Sequence, residues 1–246
     1  MINNNLTWQN HLYGDDNNEG LVQQLSKRIG VLKKMSRQMD RKNLKFFAAG
    51  MFYSKLIYCL PVYGNVFGLE QYREQNFRYQ SYSVKDNHKL QVLQNNLNRL
   101  LLNAKYDTPT EVLLQETSSL SIQQMTAYHT VVLTKKIIST GKPSYIAQRM
   151  TKLGGVDLRN NRGKVMVQKR KLAISREGFI YRAAVLYNAI NEDLRREENG
   201  ERFKSGLKKW VLENISVKPR SKFPRIESRR ISRNTDDVNV LDQNDI

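Results

Sequence analysis

Cysteine is almost missing from this 246-residue chain: Cys59 stands alone, and histidine is limited to His11, His88 and His129. One thiol excludes an internal disulfide, and three scattered imidazoles supply no set of zinc ligands, so stapled and metal-organised small folds drop out. Acidic residues are also scarce. Against 23 Asp+Glu stand 41 Lys+Arg, a net charge of 41 − 23 = +18, which points to a polyanionic partner. Long uninterrupted apolar runs are missing too. The nearest approach is residues 46–69, but Pro61, Gly64 and Gly68 break it and Tyr53, Tyr58 and Tyr63 scatter hydroxyls through it, so a buried helix and a turn are expected rather than a membrane span. The first residues carry no basic region followed by an apolar one, so nothing marks the chain for secretion and an intracellular location is the expectation. With 39% hydrophobic residues, there is still enough apolar surface for one large core or two small ones.

What is present is helical periodicity. Leu21, Leu25, Ile29, Leu32, Met35 and Met39 repeat over about five turns, with Lys27, Lys33, Lys34 and Arg37 on the other side. Arg28 falls on the apolar side and is expected to snorkel to the rim. Asp40 is placed to cap a second helix, whose buried stripe is Leu44, Phe47, Ala48, Met51 and Leu56 before Pro61 stops it. Cys59 in this apolar stretch is expected to be a buried, inert thiol. Asp86 is placed to cap a third helix with Leu90, Leu93, Leu97, Leu100, Leu101 and Ala104 on one face.

Thr108-Pro109-Thr110-Glu111 combines a cap, a proline for the first helical position and a capping-box acid, and so starts a short helix to about Thr117. Ser121 with Gln124 repeats the capping box, Leu120 with Met125 has the spacing of a hydrophobic staple, and Gly141 marks the end of a long helix. Residues 151–178 change character to a basic, Gly/Asn-rich linker with one short strand near Val165–Val167. Helical spacing returns at Phe179–Ile190, and Asn199 caps a last helix that buries Phe203, Leu207, Trp210 and Val211 and leaves Lys204 and Lys208 outside. The segment 216–246 has a basic stretch, an acidic end and little apolar content, and is expected to be disordered.

Tyr13-Gly14-Asp15-Asp16 spells a polymerase palm signature, in which paired aspartates hold two magnesium ions. That chemistry needs an earlier carboxylate, and none of the twelve residues before Tyr13 is Asp or Glu. The sequence Asn17-Asn18-Glu19-Gly20 after it is no apolar strand either, so a polar loop leading into the first long helix is the expectation. Gly154, Gly155 and Gly163 fit no phosphate-loop spacing, and no catalytic residue, metal ligand or cofactor site is assigned.

The order of segments carries more information than any one of them. Leu6-Thr7-Trp8-Gln9-Asn10-His11 comes first. Ser26-Lys27-Arg28-Ile29-Gly30-Val31-Leu32-Lys33-Lys34 follows, then Phe52-Tyr53-Ser54-Lys55-Leu56-Ile57-Tyr58 with Pro61-Val62-Tyr63-Gly64. Downstream come Leu90-Gln91-Val92-Leu93-Gln94-Asn95, Thr108-Pro109-Thr110-Glu111, Phe179 to Asn188, and Phe203 to Trp210. This series, over about Leu6 to Lys218, resembles the region just after the palm in LINE-type, jockey-like non-LTR retrotransposon reverse transcriptases. It departs from that pattern at Tyr187, where the family usually has Trp, and at Ala189-Ile190-Asn191, which replaces a Leu-Pro pair.

The resemblance implies a mainly α fold: residues 1–20 a connector after a palm not included here, 21–104 a thumb-like helical bundle, 105–150 a helical extension, and 179–215 C-terminal helices. It implies binding rather than turnover, because in that family the palm does the chemistry, and the segment alone is expected to be inactive. The expected partners are RNA and DNA as an RNA–DNA hybrid, held without sequence preference, together with the palm of the parent polymerase and no membrane. Nuclear and cytoplasmic ribonucleoprotein locations are what such a role would require. Candidate phosphate contacts are Lys27, Lys33, Lys34 and Arg37, extended by Arg41, Lys42 and Lys45, with Lys204 and Lys208 on the last helix. Two alternatives stay open on the residues alone: a stand-alone helical interaction module using the aromatic- and arginine-rich stretch Tyr72–Tyr82, and a decayed relic without a selected role.

Overall fold

In the computed structural model, residues 8–66, 84–150, 163–167 and 178–217 are described. The stretches expected to form the Tyr72–Tyr82 surface, most of the 151–178 linker and nearly all of the tail lie outside them. Among the described residues the protein is mainly α-helical. A short α1 (Gln9–Tyr13) enters a two-stranded hairpin, β1 (Gly14–Asp15) and β2 (Asn18–Glu19), followed by α2 (Leu21–Met35) and α3 (Arg41–Ala48). A π-helical turn (Ala49–Tyr53) leads into α4 (Ser54–Ile57), and α5 (Leu60–Tyr63) ends the first stretch. Then come α6 (Val84–Leu102), α7 (Thr110–Thr117), α8 (Ile122–Thr140) and α9 (Ser144–Ala147). Last are α10 (Phe179–Ala189), α11 (Glu192–Arg196) and α12 (Gly200–Asn214).

Two apolar cores share α8. The first gathers Leu12, Leu25, Leu32, Leu44, Phe52, Leu56, Leu90 and Leu97 from α1 to α6, and is closed by Ile122 and Met125 at the start of α8. The second takes Val131 and Ile137 further along α8, with Ala183, Leu186, Phe203, Leu207 and Trp210 from α10 and α12. Val165 belongs to it as well, and the Asn188 side chain pairs with both the N–H and the C=O of Val165 at 2.8 Å. Arg182 of α10 reaches across to the carbonyls of Pro61 and Val62 at 3.2 and 2.7 Å, tying the second core to the end of α5.

The start of α8 forms as its capping box predicts: Ser121 Oγ accepts from Gln124 N at 3.3 Å and Gln124 Oε1 accepts from Ser121 N at 3.0 Å. Gly141 ends that helix at φ 65°, a left-handed conformation glycine adopts without strain. Asn199 caps α12 through bonds from Glu201 N and Arg202 N at 3.0 and 3.1 Å.

Other expected caps do not form. The helix expected from Asp86 begins at Val84, and the Asp86 carboxylate accepts from the Tyr13 hydroxyl. The helix expected from Thr108 begins one residue late, after Pro109, and the Thr110 hydroxyl accepts from Asn95 Nδ2 at 2.8 Å. Two burial expectations are also corrected. Cys59 is exposed, at φ 57° in the sharp bend between α4 and α5, and Phe47 is 38% exposed. The apolar run breaks at this bend, which turns the thiol out while Leu56 and Leu60 stay fully buried.

Candidate nucleic-acid interface

The α2–α3 corner is built by backbone bonds of its own. Ser36 N donates to Leu32 O, Gln38 N and Met39 N both donate to Met35 O, and Leu44 N picks up Asp40 O as α3 starts. Leu32 and Leu44 anchor the corner in the core from either side. Arg28 adds a clamp: its guanidinium donates to the carbonyl of Met51 in the π-helical turn, so the residue expected at the rim joins the two helices.

Outside this anchorage, residues 33–45 carry Lys33, Lys34, Arg37, Arg41, Lys42 and Lys45 against one carboxylate, Asp40. All six cationic residues are exposed, and none is in an ion pair among the described residues. Local electrostatics are mixed here. Lys33 and Lys34 in the last turn of α2 suit its negative end, but Arg41 and Lys42 occupy the first turn of α3, where the helix dipole disfavours cations by about 0.3–1 kcal/mol each. Asp40 stands at the N-cap without making a side-chain capping bond, and no acid lies in that first turn.

The other three candidate cations are placed differently. Lys27 is ion-paired with Glu19 of the hairpin. Lys204 pairs with Glu201 at 2.8 Å, which holds its pKa above the ordinary lysine value. Lys208 reaches Ser118 O at 3.4 Å, in the turn between α7 and α8. Lys204 and Lys208 ride on α12, whose neighbours are α8 and α11, whereas α2 and α3 pack on each other and on α6. The structure thus brings six of the nine candidates together at one corner.

Tyr13 to Asp16 forms a hairpin rather than the open loop expected. Gly14 pairs with Glu19 and Asp15 with Asn18, and the strands are two residues each. Asp15 Oδ1 accepts from Asn17 N and Asn18 Nδ2 at 3.1 and 3.2 Å, which lowers its pKa. Tyr13 is held by Asp86, with Lys89 Nζ 4.3 Å from its ring centre, and burial together with the acid raises the phenol's pKa. Among the described residues no group of three or more His, Cys, Asp or Glu could hold a metal ion. No described helix is long and apolar enough to cross a membrane.

Two features escape a reading based on apolar stripes. One is Phe46, 77% exposed beside Phe47 in the middle of the basic corner. On a helix of 3.6 residues per turn it points away from the side that buries Leu44 and Ala48, and a helical wheel centred on those two would have shown this. The other is a buried amide ladder on α6. Gln91 Nε2 donates to Gln94 Oε1 and Asn95 Oδ1 at 2.9 and 3.0 Å, and Gln91 Oε1 accepts from Ile122 N at 3.0 Å. Gln94 Nε2 donates to Leu120 O at 2.7 Å. Only the spacing of Gln91, Gln94, Asn95 and Asn98 on one side of α6 hints at it in the sequence.

Compared with protein families, with curated proteins and with solved structures, the chain matches none of them.

Proposed function

We propose that this chain is a nucleic-acid-binding, non-catalytic helical module that grips an RNA–DNA template–primer duplex through its phosphates. The setting would be that of the post-palm region of a LINE-type reverse transcriptase. One observation carries the reading: Lys33, Lys34, Arg37, Arg41, Lys42 and Lys45 gather at one corner, exposed and without carboxylate partners among the described residues. Such a concentration of one sign costs folding stability and is the arrangement that a phosphate backbone would neutralise. The segment order that resembles the retroelement family, and the net charge of +18, support the same reading. Contacts of this kind recognise backbone, so affinity would be tolerant of sequence and steeply dependent on salt.

The test is fluorescence anisotropy of labelled RNA–DNA hybrids of unrelated sequences against the full chain, with heparin as competitor. Comparable affinity for all hybrids, abolished by heparin, is the expected result. No binding at low salt, or binding indifferent to heparin, would overturn the reading, and the second outcome would point to a protein-interaction module instead.

A further inference from the structure

Phe46 is the most solvent-exposed aromatic of α3, and the residues around it explain why its face stays open. One turn on, Ala49 and Gly50 present nothing that could cover the ring, and a Cβ added at Gly50 would meet no atom within 4 Å. Phe47 packs edge-on beside it, with ring centres 6.3 Å apart and planes at 90°, and Phe46 remains exposed. One turn back lies Lys42, and side chains on a helix lean toward its N-terminus, so ring and ammonium share one patch. A bare Phe in a run of cations is poorly suited to a folded surface in water, but an aromatic face next to a phosphate-binding row suits an unpaired nucleotide: phosphate on the cation, base on the ring.

From this geometry we infer that Phe46, with Lys42 one turn before it on the same face, is a stacking platform for an unpaired base of single-stranded nucleic acid running on from the gripped duplex. The inference rests on the proposed phosphate-binding corner and adds a second ligand state to it. A paired, stacked base inside a duplex offers no free face, so the platform acts only where strands separate or overhang. Recognition through a π-face accepts every base, consistent with a corner that reads backbone.

The experiment uses the full chain and two labelled probes: a blunt RNA–DNA hybrid, and the same hybrid with a single-stranded overhang. Stacking of one base is worth about tenfold in affinity. Phe46→Ala and Phe46→Leu should therefore lose about tenfold for the overhang probe and stay within about twofold for the blunt one. Phe46→Trp should keep the overhang preference and report it by quenching of the new indole. Equal affinity of the native chain for both probes, a Leu variant as good as the native chain, or equal losses on both probes would overturn the platform while leaving the phosphate grip standing. Absence of binding to either probe would overturn both, and tight binding of the chain to neutral-lipid vesicles that is lost in Phe46→Ala would reassign the ring to a membrane surface.

Discussion

The salt dependence of binding can be worked out from the geometry of the α2–α3 corner. Six unpaired cations that each contact one phosphate of a duplex give a slope of log K against log salt of about −5.4, at roughly −0.9 per neutralised phosphate. Raising monovalent salt from 50 to 200 mM should then weaken binding by about three orders of magnitude. Replacing Lys33, Lys34 and Arg37 by Ala halves the number of contacts and should bring the slope to about −2.7. Lys27→Ala and Lys204→Ala are the matched controls. Each removes one positive charge, but their ammonium groups already face Glu19 and Glu201, so the slope should change by well under one unit per substitution. The assay is anisotropy of a labelled hybrid at five or six salt concentrations, with circular dichroism confirming that each variant is folded. Two results would count against the corner as the binding surface: a triple variant that keeps the native slope, or paired lysines that matter as much as the unpaired ones. Either result would mean that net charge alone, and not the corner, attracts the ligand.

Three further predictions concern the scaffold. Gln94 is fully buried, and Gln94→Ala removes its bonds to Gln91 and to Leu120 O while opening a hole, so stability should fall by about 2–4 kcal/mol in urea unfolding; a loss below about 0.5 kcal/mol would show the ladder to be incidental. A Cβ at Gly20 would sit 2.2 Å from Tyr13 C and 2.3 Å from Gly14 N, both rigid backbone, so Gly20→Ala should destabilise by at least about 1–3 kcal/mol and Gly30→Ala, which meets nothing, should not. Burial lowers the pKa of His129 below its ordinary 6.5, so the unfolded chain takes up the proton first and stability is lost as pH falls below about 6.5, by up to about 1.4 kcal/mol per unit. Thermal melts between pH 8 and 5 should therefore show a shallower acid limb for His129→Gln.

Where the sequence announces structure, it does so through groups that satisfy themselves locally. Ser121 and Gln124 close a capping box within four residues, and Gly141 and Asn199 act on their own helix ends, so their roles can be read without knowing the rest of the fold. Asp86 carries the same kind of local signal, yet Tyr13 claims its carboxylate from 73 residues away. No local pattern reveals that competition. The amide ladder is illegible for the same reason: Gln94 looks like a solvent residue until Leu120, 26 residues later, is placed against it. The corner lies between these cases. The candidate cations are plain in the sequence, but that Lys27 and Lys204 are spent on Glu19 and Glu201 while those of the corner remain unpaired depends on tertiary placement.

A charge cluster that serves a ligand should also show in the protein without it. Arg41 with Lys45 and Lys42 with Lys45 are like-charged neighbours at helical spacing, each pair worth roughly 0.2–0.5 kcal/mol against folding. Arg41 and Lys42 add the unfavourable dipole term and Lys45, in the last turn of α3, a favourable one, so these three side chains together cost about 1 kcal/mol at low salt. Screening removes most of this, because the groups are exposed and the Debye length shrinks from about 30 Å at 0.01 M to about 3 Å at 1 M. For a chain of this size relief of that cost should raise the melting temperature by about 2–4 °C in concentrated sodium chloride. Salt would act with opposite signs on the two equilibria, strengthening the fold while weakening the complex. Replacing Arg41, Lys42 and Lys45 by Gln should raise the low-salt melting temperature and flatten its rise with salt, while costing affinity for the hybrid. If the Gln variant instead melts lower at low salt, those side chains are stabilising the helix through contacts of their own, and the corner is an ordinary solvated surface.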